Sequence, residues 1–81
     1  MIKTGQKIQI ARVMMGLKQK ELAKKLNVRP TTVSAWECGK SEPQPRLWLL
    51  FQTLCDLNGI SFTPSGMPIA KIVSLTKERT V

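Results

Sequence analysis

The side chains able to do chemistry in this 81-residue sequence are mostly cationic. The sequence contains thirteen Lys and Arg residues and five Asp and Glu residues, which gives a formal net charge of +8. Residues 1–46 carry ten of the cations and three of the acids, a charge of +7, whereas residues 47–81 carry +1. A field of this sign attracts phosphate backbones or anionic membranes. The amino-terminal half is therefore expected to bind a polyanion, and a lysine-rich surface that only confers solubility is the alternative.

Residue types that catalysis requires are scarce. The sequence has no His and no Tyr, and its five acids are scattered. Neither a Gly-rich phosphate loop nor a nucleophile beside a base can be identified, so an enzyme is not expected. Cys38 and Cys55 are too few for a zinc site in a chain without His, so no metal or cofactor is expected and both thiols are expected to be reduced.

Two short helical patterns follow one another between residues 19 and 39. Apolar residues recur at helical spacing within each pattern, namely Leu22, Ala23, Leu26, Val33 and Trp36. Between the patterns, Asn27 can adopt the left-handed backbone of a tight turn, and Val28 can fill the gap between the helices. Pro30 marks the start of the second helix, because its missing N–H is tolerated only in a first turn. These features predict a helix-turn-helix.

With these positions in register, the sequence resembles the Xre, or Cro/cI-type, family of bacterial and phage helix-turn-helix DNA-binding proteins. The resemblance covers about residues 6–62 and rests on Arg12, Gly16, Gln19, Leu22, Ala23, Val28, Val33, Trp36, Glu37, Gly39, Lys40, Pro43, Pro45 and Arg46. It implies a mainly α fold of four to five helices, double-stranded DNA as partner, and a third helix that lies in the major groove.

The same resemblance implies which residues contact the DNA. The expected base-reading residues are Arg29, Pro30, Thr31, Thr32, Ser34 and Ala35. The expected phosphate contacts are Lys18, Gln19, Lys40 and Arg46. Arg12 and Glu37 are expected to form a structural ion pair between the first helix and the recognition helix, since an Arg beside an apolar face is costly unless it is paired.

The sequence departs from the family pattern at several positions of the third helix. Arg29 stands where the family usually has a Ser or Thr N-cap, and this cation is a candidate guanine or phosphate contact. Pro30 and Ala35 replace long polar readers, which leaves methyls and hydroxyls that suit thymine methyl groups. Cys38 stands where the family often has a polar or basic residue. A redox role for its thiol is an open alternative that would need a lowered pKa.

The flanking segments are expected to form the remaining helices. Thr4 is a plausible N-cap of a first helix that runs to about Met15. A last helix is expected from Pro45 to about Asn58, with a buried leucine stripe formed by Leu47, Leu50, Leu54 and Leu57. Trp48 and Phe51 add apolar surface beside that stripe, and this surface is a candidate dimer contact.

After Gly59 the pattern changes to alternation and β-branched residues, which predicts a short β-hairpin or a dimerising strand. The strand could pair across a dimer or cover the core of its own monomer. Three segments are expected: residues 1–58 as the helix-turn-helix domain, residues 59–76 as a β extension that dimerises, and residues 77–81 as a polar tail.

The predicted function is a sequence-specific transcriptional regulator, acting as a dimeric repressor on a palindromic operator. The alternative is a DNA-binding antitoxin that represses its own operon and binds a toxin protein with another surface. No stretch approaches the roughly 18 apolar residues of a membrane span, so a cytoplasmic protein without a membrane partner is expected.

Overall fold

The computed structural model describes residues 3–70, which form four helices and a two-stranded sheet. The elements are α1 (Thr4–Met14), α2 (Gln19–Leu26), α3 (Pro30–Cys38), α4 (Pro45–Leu57), β1 (Ile60–Phe62) and β2 (Pro68–Ala70). This confirms the prediction of a mainly helical fold in which a short β-hairpin follows α4. Residues 71–76 of the expected β extension, and the expected tail at 77–81, lie outside the described residues.

Local chemistry sets most helix ends. Asn27 closes α2 in the left-handed conformation with φ 59° and ψ 44°, as its small polar side chain allows. The Val28 N–H then donates to the Ala23 carbonyl at 2.9 Å, and α3 begins two residues later at Pro30. The expected N-cap at Thr4 was wrong, because Thr4 is the first helical residue of α1 and Lys3 is the cap. The Lys3 N–H donates to the Gln6 side-chain oxygen at 3.0 Å, so a side chain of the first turn satisfies the backbone of the cap residue.

All four helices and β1 contribute to one apolar core. The buried hydrophobic residues are Ile8, Ala11, Leu22, Ala23, Leu26, Val33, Trp36, Phe51, Cys55 and Ile60. Trp36 is only 3% exposed, so this tryptophan packs in the core and cannot stack on a base. Within residues 3–70, none of the helices combines the length and the apolar character that crossing a bilayer requires.

The buried face of α4 differs from the predicted leucine stripe. Phe51 and Cys55 are fully buried, whereas Leu50 is 45% exposed and Leu57 is 79% exposed. The Trp48 ring is half-buried and stacks on Phe51, with the ring centroids 5.5 Å apart. Aromatic side chains bury more apolar area than leucines, so α4 turns this neighbouring face inward. Phe51 therefore belongs to the core, and the exposed apolar surface of α4 consists of leucines.

The two strands pair with each other antiparallel, with Ile60 opposite Ala70 and Phe62 opposite Pro68. Their loop closes through a Thr63 N–H bond to the Met67 carbonyl at 2.9 Å, and Gly66 takes a positive φ of 95° that favours glycine. The hairpin contacts α1 and α4 of its own chain. It thereby covers the end of the core at which Ile60 is buried.

Candidate nucleic-acid interface

Helix α3 has one face in the core and one face towards solvent. Val33 and Trp36 are buried against α1 and α2. The predicted base-reading residues lie on the remaining surface: Arg29, Pro30 and Thr31 are exposed, and Thr32, Ser34 and Ala35 are half-buried. The outer surface near the start of α3 is thus built from a guanidinium group, hydroxyls and methyls. These groups can donate to guanine, bond to several base edges and contact thymine methyls.

The start of α3 carries positive character. Arg29 is the N-cap, with φ −82° and ψ 149°, and its side chain forms no capping hydrogen bond. Its carbonyl accepts from the Thr32 and Val33 N–H groups at 2.9 and 3.3 Å. A helix start without a side-chain acceptor keeps the partial positive charge of its first turn, and the Arg29 guanidinium adds to it. This end of α3 therefore favours an anionic partner.

The predicted phosphate-binding residues lie at the start of α2, just after α3 and at the start of α4. Lys18, Lys40 and Arg46 are exposed, and Gln19 is half-buried. Lys18 caps α2, and its N–H donates to the Glu21 side chain at 2.7 Å. Lys40 follows the end of α3, and its N–H donates to the Ala35 carbonyl at 2.9 Å. Arg46, in the first turn of α4, lines a groove together with Val28 of the turn between α2 and α3.

Arg12 and Glu37, paired in the sequence analysis, lie in direct contact. Arg12 Nε donates to Glu37 Oε2 at 2.7 Å, and Arg12 Nη2 donates to Glu37 Oε1 at 3.2 Å. The Arg12 side chain is 13% exposed and that of Glu37 is 5% exposed. Arg12 Nη1 also donates to the Leu17 carbonyl at 2.8 Å. The pair thus connects α1, the segment before α2, and the second half of α3.

Sequence reasoning missed a further contact in this cluster. Gln19 Nε2 donates to Glu37 Oε1 at 3.0 Å, so the first residue of α2 is bonded to α3 through its side chain. The two positions are eighteen residues apart, and neither helical periodicity nor spacing relates them. Because Gln19 was assigned only to phosphate, its contact with the carboxylate was not expected.

The comparison with protein families agrees with this geometry. A family model for helix-turn-helix domains, HTH_3, matches residues 8–58. The chain belongs to this helix-turn-helix family. Membership confirms the resemblance to Cro/cI-type, or Xre, proteins and implies that the chain binds DNA as a regulator without enzymatic activity. A search of curated proteins found no match to the chain.

In this helix-turn-helix domain, Gly5 is a structural residue that the sequence analysis did not identify. A Cβ atom at this position would overlap the Trp36 carbonyl oxygen and come within 3.1 Å of the Glu37 carbonyl oxygen. Glycine therefore lets the first turn of α1 approach the backbone of α3. The available signal was a glycine inside a helical pattern, where it is unfavourable unless packing requires it.

The two thiols of the helix-turn-helix domain have different environments. Cys38, the last residue of α3, is exposed, and Cys55 of α4 is buried. Burial raises the pKa of the Cys55 thiol from 9.0 to about 11, because a thiolate would be poorly solvated there. Only Cys38 is thus placed to react with solutes, and a redox role for it stays untested.

Proposed function

We propose that this protein is a dimeric, sequence-specific repressor that acts in the cytoplasm and binds a palindromic operator through α3. The single observation that carries the proposal is the two-sided character of α3. Its inner residues Val33 and Trp36 hold it in the core, while Thr31 and Thr32 remain on the accessible surface. A recognition helix held in this way presents its first turns to base edges in the major groove.

In this proposal, contacts to the DNA backbone position α3. Lys18 and Gln19 at the start of α2, Lys40 behind α3, and Arg46 at the start of α4 bind phosphates. Phosphate contacts fix the register of a protein on the duplex but carry no direct sequence information. The charge of +7 on residues 1–46 supports this division, because it lies in the part of the chain that contains α2 and α3.

The surface proposed to read bases is short and compact. Thr31, Thr32 and Ser34 supply hydroxyls, and the methyl groups of the threonines and of Ala35 suit thymine. Arg29 is the residue here that could form a bidentate contact with guanine. We therefore propose that specificity comes from a few methyl and hydroxyl contacts beside one arginine contact.

A palindromic operator requires two copies of the protein related by a two-fold axis. We propose that they meet through the exposed leucines of α4, which are Leu49, Leu50 and Leu57. Leucines on one helix form an apolar surface that is costly to leave in water. In such a dimer the recognition helices would occupy half-sites about 34 Å apart, one turn of DNA.

The decisive experiment compares the protein's own upstream DNA with a scrambled duplex at physiological salt. We expect the wild type to prefer the upstream DNA by at least ~10³. The variant Thr31→Ala, Thr32→Ala should lose most of this ratio while its affinity keeps the same dependence on salt, because no cation is removed. Ser65→Ala is the control, since Ser65 lies in the loop of the β-hairpin and its hydroxyl contacts Thr63 of the same loop. Equal affinity of the wild type for both duplexes would contradict autoregulation through α3.

The antitoxin function is the second candidate, and the apolar groove beside α4 favours it. This groove has a volume of about 600 Å³ and is lined by Leu26, Val28, Leu47, Leu49 and Leu50, among others. A toxin protein could insert an apolar side chain there. Mass measurement of the purified protein separates the two functions: a stable particle of two copies favours the repressor, whereas a monomer that co-purifies with the product of a neighbouring gene favours the antitoxin.

A further inference from the structure

The hydrogen bond between Gln19 and Glu37 connects two roles that were assigned separately. Gln19 belongs to the proposed phosphate contacts, and Glu37 belongs to the ion pair with Arg12. Their side chains meet, with 3.0 Å between Gln19 Nε2 and Glu37 Oε1. The same Oε1 atom also accepts from Arg12 Nη2 at 3.2 Å. Gln19 of α2 is therefore bonded to a carboxylate of α3 that Arg12 of α1 also binds.

The chemistry of the two groups determines which end of the amide faces the carboxylate. An ionised carboxylate only accepts hydrogen bonds, so the amide oxygen of Gln19 would be repelled there and its NH₂ group is attracted. Glu37 is only 5% exposed and is held by two Arg12 bonds, so its position is well defined. Since the NH₂ group has two hydrogens, one remains for another acceptor. The bond to Glu37 sets the direction of that second hydrogen.

We propose that Glu37 is a positioning residue, which orients the Gln19 amide so that its second N–H donates to a DNA phosphate. The backbone N–H groups at the start of α2 would face the same phosphate. In this arrangement the phosphate is bonded to Gln19, Gln19 to Glu37, and Glu37 is part of α3. The contact to the DNA backbone is thus coupled directly to the helix that reads the bases. This inference rests on the proposed DNA-binding function.

The test uses a short mixed-sequence duplex at low salt, because phosphate contacts supply nonspecific binding and no operator need be known. Gln19→Ala should weaken binding about tenfold, the loss expected for one hydrogen bond to a charged group. Gln19→Glu should weaken it further, because the new carboxylate repels both Glu37 and the phosphate. Gln9→Ala, an exposed glutamine of α1, is the matched control and should bind like the wild type. The free energy of unfolding is measured for each variant, so that affinity is compared among folded proteins.

A second background tests the role of Glu37 itself. The double variant Arg12→Met, Glu37→Met replaces the buried pair by apolar side chains, which proteins often tolerate. In this background Gln19 has no carboxylate to orient it, so Gln19→Ala should change affinity less than twofold. An undiminished tenfold loss there would show that Gln19 binds phosphate without Glu37 and would overturn the inference. If the double variant does not fold, Gln19→Glu decides, and wild-type affinity of that variant would overturn it.

Failure of the inference can be distinguished from failure of the DNA-binding function. If the wild type binds the duplex and Gln19→Ala binds equally well, only the role of Gln19 and Glu37 is wrong. If the wild type does not bind any duplex at low salt, DNA binding itself is wrong and this inference is lost with it.

Discussion

Glu37 is the residue at which three helices of the domain are connected. Its nearly buried carboxylate accepts two hydrogen bonds from Arg12 and one from Gln19. A buried charge is tolerated only when its desolvation is offset by partners of this kind. Replacing the pair by apolar residues would often keep stability, so we interpret the cluster as a device that sets the relative position of α1, α2 and α3.

Cys38 and Cys55 should differ in reactivity. In the native protein we expect a thiol-specific disulfide reagent to modify Cys38 rapidly, because it is exposed, and to leave Cys55 unmodified until the protein unfolds. The measurement is the number of thiols modified with and without denaturant. Cys38→Ser should abolish the rapid reaction. Rapid modification of both thiols in the native wild type would contradict the buried environment of Cys55.

The raised pKa of Cys55 also predicts a dependence of stability on pH. The unfolded chain loses this proton near pH 9.0, whereas the folded protein keeps it until about pH 11. Between these values the folded state binds more protons, so the free energy of unfolding falls as the pH rises. Denaturant titrations should show a smaller decrease over this range for Cys55→Ala than for the wild type. An equal decrease in both proteins would show that Cys55 is not the group responsible.

At the level of elements, α1 and α3 approach each other closely at one glycine. Gly5 faces the carbonyl oxygens of Trp36 and Glu37 near the end of α3. About two turns further along α1, Arg12 binds the Glu37 side chain. Helix α3 is thus held against α1 both by a backbone contact and by an ion pair. The orientation of α3 relative to the rest of the domain depends on both.

Gly5→Ala should destabilise the protein by about 1–3 kcal/mol, because the added methyl overlaps the Trp36 carbonyl oxygen and the helices must separate. Helix propensity alone predicts the opposite sign, a stabilisation of about 0.5–1 kcal/mol. The sign of the change in the free energy of unfolding, measured by denaturant titration, therefore decides between the two. A stabilised Gly5→Ala variant would show that α1 and α3 are further apart than described.

Across the whole molecule, the excess of cations and the exposed leucines occupy different parts of the chain. The excess of Lys and Arg lies in residues 1–46, whereas the exposed leucines lie on α4. A protein that binds DNA as a dimer needs both surfaces, one for phosphates and one for its second copy. The β-hairpin contacts α1 and α4, and β1 adds Ile60 to the core that the helices form.

Leu49→Asp, Leu57→Asp should convert a dimer into a monomer, because two charged groups cannot be buried unpaired in an apolar interface. Sedimentation equilibrium measures the mass of the particle. The affinity of the monomeric variant for a duplex with two half-sites should be lower than that of the wild type. Val13→Asp is the matched control, since Val13 of α1 is 61% exposed and Leu49 is 64% exposed. A dimer that survives the double substitution would place the interface elsewhere.

Local chemistry and periodicity were enough to predict the helix-turn-helix. Asn27 and Pro30 act through their own backbone preferences. The spacing of Leu22 and Leu26 in α2, and of Val33 and Trp36 in α3, shows which residues of each helix share a face. These properties need no knowledge of distant parts of the chain. The order of the helices, the hairpin and the family membership therefore followed from the sequence.

Tertiary structure alone decided the remaining features. Periodicity predicted a leucine face for α4, but only Leu47 and Leu54 of that face pack against the core, and the fully buried residues of α4 are Phe51 and Cys55. Gly5 and the bond from Gln19 to Glu37 likewise depend on contacts between residues far apart in sequence. A one-dimensional pattern records which side chains lie on the same side of a helix. Which side faces the core, and which atoms from separate helices then meet, depends on packing volume and hydrogen-bond geometry in three dimensions.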